Sequence, residues 1–337
     1  MNKNHNQKQM LPATPTRDKL YFNGLPAIEH HEILKNIEIP DPKSKKRIIM
    51  DTDTYNEIDD QFALIHLLLA ERAREDISVE AITAAPFHNT ARNTDNYQHG
   101  MELSYQEISN VINTLDFKWN GPIKKGSSMS LDETKGALVE SDAAELICKI
   151  AKSHKKDEPP VYILALGALT NIASAILKDP SIREHVVVCT LGGSAFNLHG
   201  FTDFNYEQDM TAAQFVFSSG VPVVHFPGYS VTDHLRTSRW ELEAHIGNSK
   251  SAQFLYNRFM EFVADYPGRS KPIWDLAPGA WVLDPSCFIT EVCETPELTN
   301  KNTWIEQNGT HPIRTIRWIN RDNIFKNFFS LINPQQS

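Results

Sequence analysis

The stretch Ile48-Ile49-Met50-Asp51-Thr52-Asp53-Thr54-Tyr55-Asn56-Glu57-Ile58-Asp59-Asp60 decides how this chain is read. An apolar run of strand length passes straight into five carboxylates, and a helical pattern, Ile58 to Arg74, begins where they end. A strand without polar alternation is covered on both faces, and a helix after it makes it the first half of a parallel crossover. The alternation continues outward. Val79 to Ala84 precedes a helix over Asn93 to Ile112, and Ser141 to Ser153 precedes Val161 to Leu166. Then come Leu169 to Leu177, Val186 to Leu191, Thr211 to Phe217 and Val221 to Phe226. The fold class is α/β, an open, mostly parallel sheet with helices on both faces. Ligands are expected at the carboxyl ends of its strands.

Asp59 and Asp60 open a helix, where carboxylates meet free N–H groups and the positive end of the macrodipole. Capping accounts for two of the five acids and leaves Asp51 and Asp53 crowded beside them. A hard cation held by carboxylate oxygens removes that repulsion, so the strand end reads as a metal or catalytic centre.

The remainder of the 337 residues bounds the answer. With 33 Lys plus Arg against 42 Asp plus Glu, the formal net charge is −9, and 41% of residues are hydrophobic. No clustered basic residues track a phosphate backbone, which excludes a nucleic acid polymer as partner. Four cysteines without a C-x-x-C pair read as reduced thiols. No apolar run of membrane-spanning length and no secretory h-region is visible, so the expected location is the cytoplasm, with no membrane partner. Residues 1–44, polar and dotted with prolines, read as an N-terminal arm, disordered in part or packed on the surface. Residues 45–332 read as a single α/β domain. Thr237 to Tyr266 looks helical and is a candidate lid or rim.

Two families own strand ends of this kind. Asp-x-Asp-x-Thr resembles the haloacid-dehalogenase-like phosphatases, but the late acidic pair and the lysine of that family find no convincing match. The whole string resembles the nucleoside hydrolases, whose signature is D-x-D-x-G-x-D-D. Downstream, Gly167-Ala168-Leu169-Thr170-Asn171-Ile172-Ala173 resembles that family's G-x-L-T-N-[IL]-A turn. Leu191-Gly192-Gly193, then Asn197, Asp203-Phe204-Asn205, Asp209 and Ala212-Ala213 follow its Gly-Gly, Asn, E-F-N and Asp spacing. Ile273-Trp274-Asp275 resembles its last acidic motif in the tryptophan variant of a purine-preferring subclass. The matches run in order from Arg47 to Pro285.

The resemblance implies hydrolysis of the N-glycosidic bond of ribonucleosides, purine ribosides slightly favoured, to free base and ribose. It implies metal ligation by Asp53, Asp60, the Leu166 carbonyl and Asp275, with Asp53 also the base that activates a calcium-held water. Oxygen-only donors suit Ca²⁺ better than Zn²⁺. Asp59, Asn89, Asn197, Asp203 and Asn205 would contact the sugar, and Trp274 the departing base. A homodimer or homotetramer is implied as well.

Four departures stand out. Five residues separate Asp53 from Asp59 where the family has three, and the glycine is missing. The Ala84 to Asn89 loop is longer than the family's. Asp203 stands where Glu is usual, and Trp274 stands where His is usual. Only His88 and His199 lie near the motif loops. These changes keep open a different N-riboside or small glycoside as substrate, or a nucleoside or sugar binder without turnover.

Overall fold

Ile48, Ile49 and Met50 are all fully buried, yet they enter two different cores. Ile48 and Met50 join one hydrophobic cluster and Ile49 the other, as side chains do on a strand covered on both faces. The computed structural model describes residues 19–334 other than 23, 156, 199, 200 and 202.

We number the strands of the main sheet β1 (Lys46–Thr52), β2 (Ile77–Ala84), β3 (Ile123–Lys125), β4 (Val161–Ala165), β5 (Val186–Leu191), β6 (Val223–Phe226), β7 (Phe288–Glu294) and β8 (Pro312–Ile319). Their spatial order is β7-β8-β6-β5-β4-β1-β2-β3. All neighbours pair in parallel except β7 and β8, which make an antiparallel edge. From β1 the chain runs outward through β2 to β3, then returns to β4 on the other side of β1. That reversal is a topological switch point, and it falls on the acidic strand end.

Helices cover both faces. Asp59–Ala73, Tyr97–Ile112, Leu276–Leu283 and Arg321–Ile332 carry the cluster containing Met50. Asp142–Lys152, Thr170–Lys178 and Met210–Ser218 carry the cluster containing Ile49. The segment expected as one helix from Thr237 to Tyr266 contains two, Arg239–His245 and Lys250–Phe262. Gly247, at φ +80°, makes the break. A Cβ there would sit 2.6 Å from the Asn333 side chain, so glycine is required twice over. Leu255 and Phe259 of the second helix are buried in the same core as the Asp59–Ala73 helix, and neither helix lines the acidic cavity.

Packing starts before Lys45. Helix His30–Asn36 and the residue after it bury Ile33 and Ile37, and Arg314 donates to the Ile37 carbonyl. Arg183 donates to the Pro26 carbonyl at 2.7 Å. The cysteines are all free thiols. Among the described residues, no helix is long and apolar enough to cross a membrane.

Candidate active site

β1 and the residue after it deliver three side chains to the switch point. Asp51 is fully buried and turned sideways into the sheet, where Thr83 Oγ1 donates to its Oδ1 at 2.5 Å and Asn171 Nδ2 at 2.8 Å. Thr52 donates to Asp60, and its hydroxyl lies 2.9 Å from that of Thr54. Asp53 lines the cavity, and its Oδ2 is buried with no hydrogen-bond partner among the described residues. The next strand over is locked in register by the Leu166 N–H, which donates to the Asp51 carbonyl at 2.8 Å.

The lengthened turn closes on itself through the Asn56 N–H, 2.7 Å from the Asp53 carbonyl. The helix that follows is capped in position by Ile58 and has no side-chain cap bond, so Asp59 and Asp60 sit in its first turn with their carboxylates directed elsewhere. Asp60 takes the Thr52 hydroxyl, while Asp59 lies 3.2 Å from Lys271 Nζ. Lys271 also grips Glu57. Asn89 reaches the site indirectly: its Nδ2 donates to Asn56 Oδ1 at 2.8 Å, while its own Oδ1 caps a short turn at Ala91.

Across the cavity, Asn205 Nδ2 donates to the carbonyls of Leu166 (2.9 Å) and Leu191 (3.1 Å), fastening the ends of β4 and β5 together. The Leu166 carbonyl keeps a second lone pair for another partner. Asp203 caps the short helix Phe204–Glu207 by accepting from the Tyr206 N–H at 2.8 Å. Gly192 and Gly193 are required because the Tyr206 ring lies against them, and a Cβ would approach it to 2.6 and 2.9 Å. Asp275 occupies the N-cap position of Leu276–Leu283 without capping it, and its carboxyl instead contacts Asp60.

The wall of this open cavity, about 550 Å³ counted to its mouth, comprises Asp53, Asn56, Glu57, Asp59, Asp60, Leu166, Leu191, Asp203, Phe204, Asn205, Gly228, Tyr229, Trp274 and Asp275. Oxygens of Asp59, Asp60 and Asp275 lie within 4.8 Å of one another. Burial raises Asp53, Asp59, Asp60, Asp203 and Asp275 above the ordinary carboxylate range. Asp60 is pushed to about 8 by burial and then by Asp59, and Asp53 and Asp275 are raised well above their usual value by burial and then by Asp60. Asp51 rises to about 7 and Asp203 to about 6, both through burial, against the hydrogen bonds they accept. Crowded, desolvated carboxylates of this kind are an oxygen-donor site for a hard divalent cation. The unengaged Asp53 Oδ2 beside the trio fits such a cation, as does the absence of His, Cys and Met among the described wall residues.

Of the residues singled out from sequence, Asp53, Asp59, Asp60, Leu166, Asp203, Asn205, Trp274 and Asp275 share this cavity. Asn89 stands behind it, and Asn197 is exposed and absent from its wall. The tightest acidic trio contains Asp59 rather than Asp53. His199 lies outside the described residues, and His88, held by Thr94, is not on the wall. Sequence reading assigned no role to Glu57, Tyr229 or Lys271. Lys271 left one signal, a lysine four residues before Asp275 beside Pro272.

An α/β sheet that gathers buried, oxygen-only donors at its switch point defines a class of protein with an acidic centre able to hold a divalent cation. The family is more specific. The profile of the Inosine-uridine preferring nucleoside hydrolase family matches residues 48–326, and the chain belongs to that family of enzymes, which hydrolyse the N-glycosidic bond of ribonucleosides. It is 27% identical over 274 residues to the Pyrimidine-specific ribonucleoside hydrolase RihA of Escherichia coli O1:K1 / APEC, covering 72% of this chain and 81% of that one. A shorter alignment to RihA of Citrobacter koseri, 28% over 167 residues, covers 46% of this chain and 53% of that one. Among solved structures, a plant nucleoside hydrolase superposes with a TM-score of 0.65 at 18% identity, covering 85% of this chain and 98% of that one. A purine-preferring ribonucleoside hydrolase from Gardnerella vaginalis superposes with a TM-score of 0.59 at 18% identity over the same shares.

Proposed function

We propose that this nucleoside hydrolase is calcium-dependent and slightly favours purine ribosides. The observation that carries the reading is the convergence of four buried carboxylates, Asp53, Asp59, Asp60 and Asp275, on one open cavity, with Asp53 Oδ2 unengaged.

Asp53, Asp60, Asp275 and the Leu166 carbonyl would hold Ca²⁺, which supplies positive charge and lowers the pKa of a coordinated water. A carboxylate base would be needed beside it, and Asp53 would take the proton of the attacking water at Oδ2. Asp59, Asp203 and Asn205 hold the ribose hydroxyls, and Asn89 acts on the same wall through Asn56. Buried polar groups arranged in this way reject sugars that lack the hydroxyls. As the C–N bond breaks, positive charge grows on the sugar ring, and the surrounding carboxylates stabilise it.

Trp274 supports the purine preference. Its indole lines the cavity, and an aromatic face stabilises a departing purine, above all a protonated one. Trp274→Ala is expected to slow inosine hydrolysis about tenfold more than that of 4-nitrophenyl riboside, whose leaving group needs no assistance. Equal losses on both substrates would remove Trp274 from leaving-group chemistry. The family resemblance extends the proposal to a cytoplasmic homodimer or homotetramer.

A further inference from the structure

No lysine or arginine lines the acidic cavity among the described residues, yet one stands immediately behind its wall. Lys271 is 3% exposed and touches three wall residues at once. It grips the Glu57 carboxylate, approaches Asp59 Oδ1 to 3.2 Å, and lies 4.5 Å from the centre of the Trp274 ring. Phe262, with its ring centre 5.4 Å away, covers another side of the ammonium.

Glu57 belongs to the lengthened turn, and Lys271 opens the two-residue strand Lys271–Pro272, which pairs with Arg236–Thr237. The lysine therefore clips the end of that turn to a separate element. It fixes Asp59 where two additional residues would otherwise let the helix start shift. Its charge also bears on the metal centre, because Asp59 offers an oxygen to the same 4.8 Å cluster as Asp60 and Asp275. A fixed cation beside that cluster repels any cation that enters it.

We propose that Lys271 is a built-in counter-cation of the acidic centre, a positioning residue that holds Asp59 and Glu57 for sugar binding and lowers the affinity of the centre for its metal ion. The inference rests on the proposed function, on riboside hydrolysis for its sugar half and on a cation in the acidic centre for its metal half. A side chain that merely supports the fold would, on removal, weaken metal and sugar binding together. A counter-cation moves them in opposite directions.

The test uses the full chain, stripped of metal and titrated with Ca²⁺ by calorimetry without substrate, together with kcat and KM for 4-nitrophenyl riboside at saturating Ca²⁺. Lys271→Met is expected to bind Ca²⁺ about threefold to tenfold more tightly while KM rises about tenfold, and Lys271→Arg to keep both within about threefold. Parallel weakening, or no change in either quantity, overturns the proposal. If Lys271→Met does not fold, Lys271→Gln, neutral but polar, decides on the same two quantities: Ca²⁺ binding no tighter than in the wild type overturns the metal half. Wild-type protein that binds Ca²⁺ but turns over no riboside defeats the hydrolase reading and the sugar half with it. The calorimetric comparison still decides the metal half.

Discussion

Gly167 shows how closely single residues are set in this centre. A Cβ at that position would lie 3.0 Å from the Ala85 Cβ and 3.2 Å from the carboxylate of Asp53. The glycine of the Gly167-Ala168-Leu169-Thr170-Asn171 turn is therefore the floor on which the proposed base rests. Gly167→Ala should displace Asp53 by a few tenths of an ångström, lowering kcat about tenfold with a small change in melting temperature, because catalytic geometry tolerates less than packing does. Unchanged turnover would show that Asp53 has room to spare. Asn171 in the same turn was legible in the sequence only as part of a motif. Its physical task lies in contacts between distant residues, which a single sequence does not display.

Those contacts belong to the scale of elements. Asn171 Nδ2 donates to Asp51 and to the Ala84 carbonyl (3.1 Å), and its Oδ1 accepts from the Ser127 N–H at 2.8 Å, so one side chain joins the ends of β1 and β2 to the loop after β3. Asn171→Ala leaves buried partners unsatisfied and should cost about 2–4 kcal/mol in denaturant unfolding; a loss under about 1 kcal/mol would mean that water replaces the amide. Strands β1, β4 and β5 and their helices were legible because residues buried on both faces form unbroken apolar runs. The edge strands β3 and β7 were not, since β3 is three residues long and β7 is half exposed. Helix His30–Asn36 was missed because only Ile33 and Asn36 of its residues are buried, too few to show an apolar period. The acids of the site were legible from their crowding at a strand end. Lys271 was not, because its partners Glu57 and Asp59 lie more than two hundred residues away in sequence.

At the scale of the whole molecule, the buried acids make stability depend on pH and metal together. Asp60 near 8, Asp51 near 7 and the raised Asp53 and Asp275 all lie above the unfolded value of 3.8, so the metal-free fold holds protons that the unfolded chain has released. Stability without metal must then fall as pH rises, until the folded values are passed. His66 and His225, lowered to about 4 by burial, act in the opposite direction, but only below the usual histidine value of 6.5. The acids therefore stand alone between about pH 6.5 and pH 8. Melting temperature in chelator should decline across that window, and added Ca²⁺ should reverse the decline, since a cation replaces the protons. A flat profile in chelator would mean that the acids are not crowded in solution as they are in the structure.

The central claim is a metal-assisted riboside hydrolysis with Asp53 as base. The most direct test is ribose release from inosine, adenosine, guanosine, uridine and cytidine, with Ca²⁺ and with chelator, for the wild type and Asp53→Ala. Release is expected to require both the metal and Asp53, with the purine ribosides ahead. Release that persists in chelator or in Asp53→Ala, or silence on all five from folded, calcium-loaded protein, would contradict it.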